Sequence, residues 1–275
     1  MNCHFVQIQL PFGILISSWL ALVAGCAAKP VQRPQPAVDG PSLRILTYNV
    51  NFGGVAMDQA VAAIAEADAD IVCLQETTPA WEQILRRDLS TRYPHMEFRH
   101  SGGAGGQAFL SRFELHEVAY VTETPGWFPG WIVKAKTPAG LVQLVNVHLR
   151  PPLTQRGSVT ASAYFGTGAI RREEVRLLSD KVDPATPTLI VGDFNENDSG
   201  KAVVWLRQHG FADALRQFDG RANTWEWRIS LITLRGRYDH ILYSKDLKCV
   251  DARVMRRGQS DHFPVVAMMI RSNDE

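Results

Sequence analysis

The sequence has little cysteine, four residues in 275, too few for a disulfide-built scaffold. It has no surplus of either charge: 29 Lys+Arg stand against 28 Asp+Glu, a formal net of +1. Tight, non-specific nucleic-acid binding rests on a strong basic excess, so only a local basic groove remains open. Neither CxxC nor HExxH occurs, which argues against the common zinc sites. There is no GxSxG, so the usual serine-nucleophile elbow is missing. No GxGxxG follows a strand and no P-loop occurs. The run Gly102–Gly106 (GGAGG) lacks the lysine of a phosphate cradle and reads as a flexible turn. No internal repeat is present. Apolar residues make up 45% and charged residues 21%, ordinary values for a globular chain with a real core.

The N-terminus reads as an address. Residues 1–25 contain no Asp, Glu, Lys or Arg, and Phe12 to Gly25 (FGILISSWLALVAG) is apolar. That stretch is short for a bilayer span but suits the core of a signal peptide. It ends in Leu22-Val23-Ala24-Gly25-Cys26, with small residues just before a cysteine. This resembles the lipobox of bacterial lipoproteins. The resemblance implies cleavage after Gly25 and lipidation of Cys26. No Lys or Arg precedes the apolar run, a departure from the pattern. Ala27, where inner-membrane lipoproteins often carry Asp, leans toward the outer membrane, on its periplasmic or surface face. Residues 26–42 include Pro30, Pro34 and Pro36 and read as a semi-extended tether. Residues 43–275 form the expected folded domain.

Within that body the pattern alternates between short apolar runs and helical spacings. Strands are expected at 43–50, 70–75, 107–111, 115–122, 130–136, 141–148, 188–191, 238–244, 248–255 and 263–270. Helices are expected at 58–67, with Asp58 as N-cap, and at 78–89, 170–182 and 201–209. Helices come early and late, with consecutive strands between, which fits a mixed α/β sandwich better than a βαβ barrel or a Rossmann sheet.

Polar residues gather just past the strand ends. Asn49 and Asn51 follow the first strand, Glu76 the second, and His148 closes a long apolar run. Asp193 and Asn195 follow Thr-Leu-Ile-Val-Gly, Asp239 and His240 open a later strand, and Asp261 and His262 precede Phe-Pro-Val-Val. Singly, each is an ordinary cap or turn former. Together they hold more carboxylates and imidazoles than capping requires.

Six pieces in order carry a family resemblance: Thr47-Tyr-Asn49, Leu74-Gln-Glu76, Asn146-Val-His148, Gly192-Asp193-Phe-Asn195, Tyr238-Asp239-His-Ile and Ser260-Asp261-His262. The chain resembles the endonuclease/exonuclease/phosphatase superfamily over roughly residues 43 to 270. The resemblance implies an α/β (α+β) four-layer sandwich, two mixed, mostly antiparallel β-sheets face to face with helices outside. It also implies phosphoester cleavage dependent on Mg²⁺ or Mn²⁺, with Asp193 activating the water and Asn195 bonding that water or a phosphoryl oxygen. His148 and His262 would contact phosphate or trade protons, one of them oriented by Asp239. Hard cations favour oxygen ligands, so Glu76 is the best carboxylate ligand, Asn49 a neutral amide oxygen beside it and Asp261 a second carboxylate. Many relatives carry Asp where Asn51 stands, which removes one possible negative ligand.

Arg150, two residues past His148, is the best substrate-binding arginine; Arg156, Arg235 and Arg237 are further candidates, while Arg171 and Arg172 read as solvent-facing. Trp127, Trp131, Trp205, Trp225 and Trp227 suggest packing under loops, base stacking or contact with a lipid interface. Cys73 reads as a buried hydrophobe, with nothing in sequence to join it to Cys249. His240 reads as structural. Three functions are compatible: a phosphodiesterase on nucleic acid or nucleotide, the same chemistry on a phospholipid or sugar-phosphate head group, or an inactive surface lipoprotein keeping the fold. No protein partner is evident; the membrane is expected through the lipid anchor.

Overall fold

The computed structural model describes residues 40–154, 158, 160, 162 and 166–272. Cys26, the apolar run before it, the tether up to residue 39 and Arg156 lie outside the described residues. Among the described residues, no helix is long and apolar enough to cross a membrane.

Two six-stranded sheets form the body. The first has the order β13 (Leu247–Val254), β14 (Val265–Arg271), β1 (Ser42–Asn49), β2 (Ile71–Gln75), β4 (Gln107–Ser111), β3 (His95–Arg99). The second has the order β5 (Leu115–Val121), β6 (Gly130–Thr137), β7 (Gly140–His148), β8 (Thr188–Asp193), β12 (Asp239–Tyr243), β9 (Ala212–Asp213). A separate hairpin joins β10 (Trp225–Ile229) to β11 (Ile232–Gly236). The helices with described bounds are α1 (Met57–Ala67), α2 (Pro79–Leu89), α3 (Gly168–Ser179), α4 (Lys201–Gln208) and α5 (Ala214–Phe218).

The apolar runs explain the layering. β2 and β8 are buried at every position, so both of their faces need cover. One core lies between the sheets: Ile45, Ile71, Cys73 and Phe109 of the first meet Trp131, Val133, Leu144 and Val191 of the second. A second core packs Leu46, Val72 and Leu74 against Ile64 of α1 and Trp81 and Leu85 of α2. A third packs Val145, Val147 and Ile190 against Val175 and Leu178 of α3 and Val203 and Leu206 of α4. The result is helix, sheet, sheet, helix: the expected four-layer sandwich.

Among the described residues only β1–β2 and β7–β8 are parallel; the other pairs are antiparallel. Helical segments bridge both parallel pairs, as such crossovers require. Asn49 lies opposite Gln75 at the end of β1–β2, and His148 opposite Asp193 at the end of β7–β8. Asp193 also lies opposite Asp239, the first residue of β12. The register thereby aligns polar strand ends within each sheet. Gly192 makes this possible: it has φ +141, and a Cβ there would sit 1.9 Å from the Val147 carbonyl oxygen.

The structure differs from the sequence expectation in several elements. β3, β9, β10, β11 and α5 were not anticipated. The segment of Trp225 and Trp227 is a strand, not an irregular turn. Asp58 is not the N-cap: α1 starts at Met57 after Ala56, and Asp58 sits in the first turn, where its charge favours the helix N-terminus. Cys73 and Cys249 are both buried and free.

Candidate active site

Asp193 sits at the centre, with 1% of its surface exposed. Its Oδ1 accepts the backbone N–H of Asn195 at 2.8 Å. Its Oδ2 accepts from Asn49 Nδ2 at 3.1 Å and lies 3.6 Å from Nε2 of both His148 and His262. Asn49 Nδ2 also donates to Glu76 Oε1 at 2.9 Å, and His148 Nε2 lies 3.9 Å from that oxygen. The other Glu76 oxygen accepts the Phe52 N–H at 3.0 Å. Asp239 Oδ2 pairs with His262 Nδ1 at 2.8 Å. Asp261 accepts from Asn51 Nδ2 at 3.0 Å and from Trp225 Nε1 at 3.1 Å. Six distant pieces of chain therefore meet, and Asp239 is partnered with His262 rather than His148.

The backbone is bent to aim these groups. Asn51, Glu76 and Asn195 all have positive φ, 63°, 62° and 53°, although none is glycine. Such conformations are costly and cluster at functional sites. Each follows a strand end, so the kink turns a side chain out of the sheet into the pit.

The histidines are driven apart. Burial lowers the pKa of His148, only partly offset by Asp193. Its Nδ1 meets the Ala104 carbonyl at 3.1 Å, so the neutral ring carries its proton there and turns a lone pair toward Asp193. Burial also opposes charge on His262, but Asp239 and then Asp193 outweigh it and lift the ring to about 10. Burial raises the Asp193 carboxyl, with Asp239 adding to the rise and His262 opposing it. Burial raises Glu76 as well. Opposed shifts of this kind separate acid from base.

Residues not foreseen hold this arrangement. The Gly102–Gly106 run is not a loose turn: it contains a 3₁₀ turn, Gly103–Gly105, that supplies the carbonyl fixing His148. Phe128 stacks on the other side, 4.1 Å from the His148 ring centroid. Gln75 and Asn146 bridge the two sheets with a 2.7 Å bond. Ser260 donates to the Asn49 carbonyl at 2.8 Å. Thr224 Oγ1 accepts the N–H groups of Tyr238 and Asp239 at 2.9 and 3.0 Å. Gln75, Asn146 and Ser260 lie inside the motif pieces, though nothing in sequence gave their partners; Phe128 and Thr224 lie outside them. Thr224→Val would orphan two amide donors and is expected to lower stability by about 2 kcal/mol, read as a chemical-denaturation midpoint shift. An unchanged midpoint would show that Thr224 holds nothing.

The other expectations divide. Asn49 does not turn its amide oxygen toward Glu76: its nitrogen faces both carboxylates, and its oxygen accepts the Asn51 N–H at 3.1 Å. Asn51 explains its own departure from the pattern, since an Asp there would set a second negative charge against Asp261. The Arg150 guanidinium is buried over the Trp127 ring at 3.2 Å, with Nε and Nη1 unpartnered among the described residues. Arg171 does not face solvent; it is buried and paired with Glu196 at 2.8 Å, while Arg172 is exposed. Arg237 pairs with Asp198 at 2.9 Å and lines a cleft with Arg235, Arg221 and Asn197. Trp131 is core, and Trp205 stacks on His209 at 3.8 Å. His240, next to Asp239, points to the opposite face, where Asp213 holds it at 2.7 Å.

Residues 46–262 match the model of the Endonuclease/Exonuclease/phosphatase family. The chain belongs to this family. No curated protein sequence matches it. Among solved structures, an endonuclease/exonuclease/phosphatase from Beutenbergia cavernae DSM 12333 is similar with a TM-score of 0.66 and 21% identity, covering 84% of this chain and 72% of that one. An AP endonuclease from Archaeoglobus fulgidus gives 0.63 and 21%, covering 82% and 98%. TDP2 from D. rerio, complexed with single strand DNA product, gives 0.62 and 18%, covering 83% and 98%. At these identities the likeness is one of fold. Endonuclease/Exonuclease/phosphatase members are hydrolases acting on phosphoester bonds, and their enzymes use divalent metals.

The donor set here fits such a cation. Glu76, Asp193, Asp239 and Asp261 share one pit, and among the described residues no Lys or Arg pairs with any of them. Ligand atoms of Asp193, Asp239 and His262 lie within 4.8 Å of one another. One charged His262 leaves negative charge in excess, which a hard divalent cation would balance.

Proposed function

We propose that the protein is a divalent-metal-dependent phosphodiesterase, with Asp193 as the base that activates water. The supporting observation is Asp193 Oδ2, a buried carboxylate oxygen 3.6 Å from two imidazoles whose protonation is pushed in opposite directions. Glu76 and Asp261 would hold Mg²⁺ or Mn²⁺, with Asn49 positioning Glu76. The bound ion supplies charge neutralisation at the phosphoryl and leaving oxygens.

The chain's own groups do the rest. Asp193, poised upward by burial, takes the proton of the attacking water. Asn195 Nδ2 is committed to the Leu149 carbonyl at 3.1 Å, so its oxygen is the group left to orient that water. His262, held charged by Asp239, donates to a phosphoryl or leaving oxygen. His148, neutral, serves as acceptor. Arg150 would bind the substrate anion through Nε and Nη1, which are buried and unpartnered among the described residues, once they are uncovered.

A phosphodiester substrate is favoured by the D. rerio neighbour, which is complexed with single strand DNA product. The near-neutral charge, +1, also suits a nucleotide or a phospholipid head group. We also propose residues 1–25 as a lipoprotein signal, 26–42 as a tether from lipidated Cys26, and attachment to a bacterial membrane, the outer membrane favoured.

Hydrolysis of a soluble aryl phosphodiester is expected to vanish with chelator and return with Mg²⁺ or Mn²⁺. Glu76→Gln is expected to raise the metal concentration for half-activity about tenfold. Full activity in chelator, or a Glu76→Gln metal titration superimposing on that of the unmodified chain, refutes the metal assignment.

A further inference from the structure

The β10–β11 hairpin stands apart from both sheets. Its register places Trp227 opposite Leu234 and Ile229 opposite Ile232, so these four side chains share one face. Glu226 opposite Arg235 and Arg228 opposite Thr233 form the other face. Among the described residues nothing covers the apolar face: exposures are 53% for Trp227, 54% for Ile229, 66% for Ile232 and 46% for Leu234. The turn is stranger still. Ser230 has φ 52° and Leu231 is 99% exposed. Two-residue hairpin turns favour Asn, Asp or Gly, so this turn carries an apolar residue where local chemistry asks for a polar one. A lone two-stranded ribbon is marginal in water, and a contiguous exposed apolar patch marks a contact surface.

The hairpin's root is tied to the site. Trp225 bridges to His262, its indole N–H reaches Asp261 at 3.1 Å, and the Glu226 N–H bonds the Asp261 carbonyl at 2.9 Å. Whatever the tip enters therefore lies beside the pit.

We propose that the hairpin tip, Ile229 to Ile232, inserts into the surface of a phospholipid bilayer, with Arg228 meeting anionic head groups. A convex apolar tip has no groove of its own to match a rigid partner, but fluid acyl chains need no matching shape. Arg228 is exposed directly beside Ile229, where its long side chain can reach back to head groups. Trp227 sits one pleat above the tip, the level at which indole rings favour the interface. The charge is complementary: the hairpin's one carboxylate, Glu226, already pairs with Arg235 at 2.9 Å and with Arg256 at 3.0 Å, which leaves the exposed Arg228 to meet an anionic head group. The contact does not depend on hydrolysis.

The test uses the full chain with Cys3→Ser, Cys26→Ser and Ser230→Cys, labelled at residue 230 with a polarity-sensitive fluorophore. Cys73 and Cys249 are buried. Vesicles of phosphatidylglycerol and phosphatidylethanolamine are expected to shift the emission to the blue, and quenchers on the acyl chains to extinguish it. Pure phosphatidylcholine is expected to do so more weakly. Adding Leu231→Asp and Ile232→Asp is expected to weaken that response about tenfold or more. The N-terminal apolar run is common to both proteins, so vesicle flotation alone does not decide the question. A probe that stays in water while the chain floats with vesicles overturns the proposal. So does a blue shift that grows with protein concentration without lipid, which would assign the tip to a second copy. Turnover of a soluble diester, measured in parallel, is expected to be equal in the two proteins; its absence from both would defeat the hydrolytic reading and leave the insertion result standing.

Discussion

Asp193→Asn is expected to lower kcat/KM toward a soluble phosphodiester by about 10³-fold, inside the range that general-base catalysis supplies. The amide keeps the size of the side chain but takes no proton from water. The loss should fall mainly on kcat, because the proposed anion contacts, Arg150 and the charged His262, are left in place. A second readout separates this from simple damage. Asp193 is one of the charges that hold His262 up at about 10, so the variant ring should titrate lower by NMR. The sign of the linked stability follows. A ring raised in the folded state contributes stability fully present below its unfolded value near 6.5. That stability is lost as pH rises through about 10. In Asp193→Asn the loss should still begin near 6.5 but be smaller and complete at lower pH. A variant with full turnover would remove Asp193 from the mechanism.

Arg171→Met is expected to cost about 3–5 kcal/mol of stability, the usual penalty for stranding one half of a buried ion pair. Arg171 Nε pairs with Glu196 Oε2 at 2.8 Å, and Nη1 donates to the Arg150 carbonyl and to Thr167 Oγ1, each at 2.9 Å. Glu196 is engaged on its other oxygen, which accepts the Ala202 and Val203 N–H groups at 2.6 and 3.0 Å at the start of α4. The methionine leaves that carboxylate buried without its cation. Thermal unfolding should show a midpoint lower by about 6–20 °C for a domain of this size. Combining Arg171→Met with Glu196→Gln should recover part of the loss. A drop under about 1 kcal/mol in the single variant would show that water reaches the pair.

The fold was legible where apolar runs were long and doubly covered. β2, β7 and β8 could only be interior strands, and their polar ends pointed to one site. Elements that escaped were short or atypical. β9 has two residues, and the hairpin strands, although they alternate apolar with polar residues, turn the apolar face to solvent. At the site, residue types were readable but directions were not. Asn49 offers its nitrogen because a bent backbone, Asn51 N–H included, claims its oxygen. Arg171 looked solvated because helix spacing alone does not show that Glu196 lies against it. The pairing of Asp239 with His262 depends on β12 meeting β8 in register, which no local pattern contains.

The pit draws Asn49 and Glu76 from one sheet and Asp193 and Asp239 from the other, so it is a seam across the inter-sheet core. The 3.1 Å bond from Asn49 to Asp193 works as a gauge of how far apart the two halves sit. Swapping a bulky filler such as Phe109 or Trp131 for a smaller one, well away from the chemistry, should dim turnover at temperatures where the molecule is still folded. Catalysis here would then report the thickness of the interior before any melting curve does.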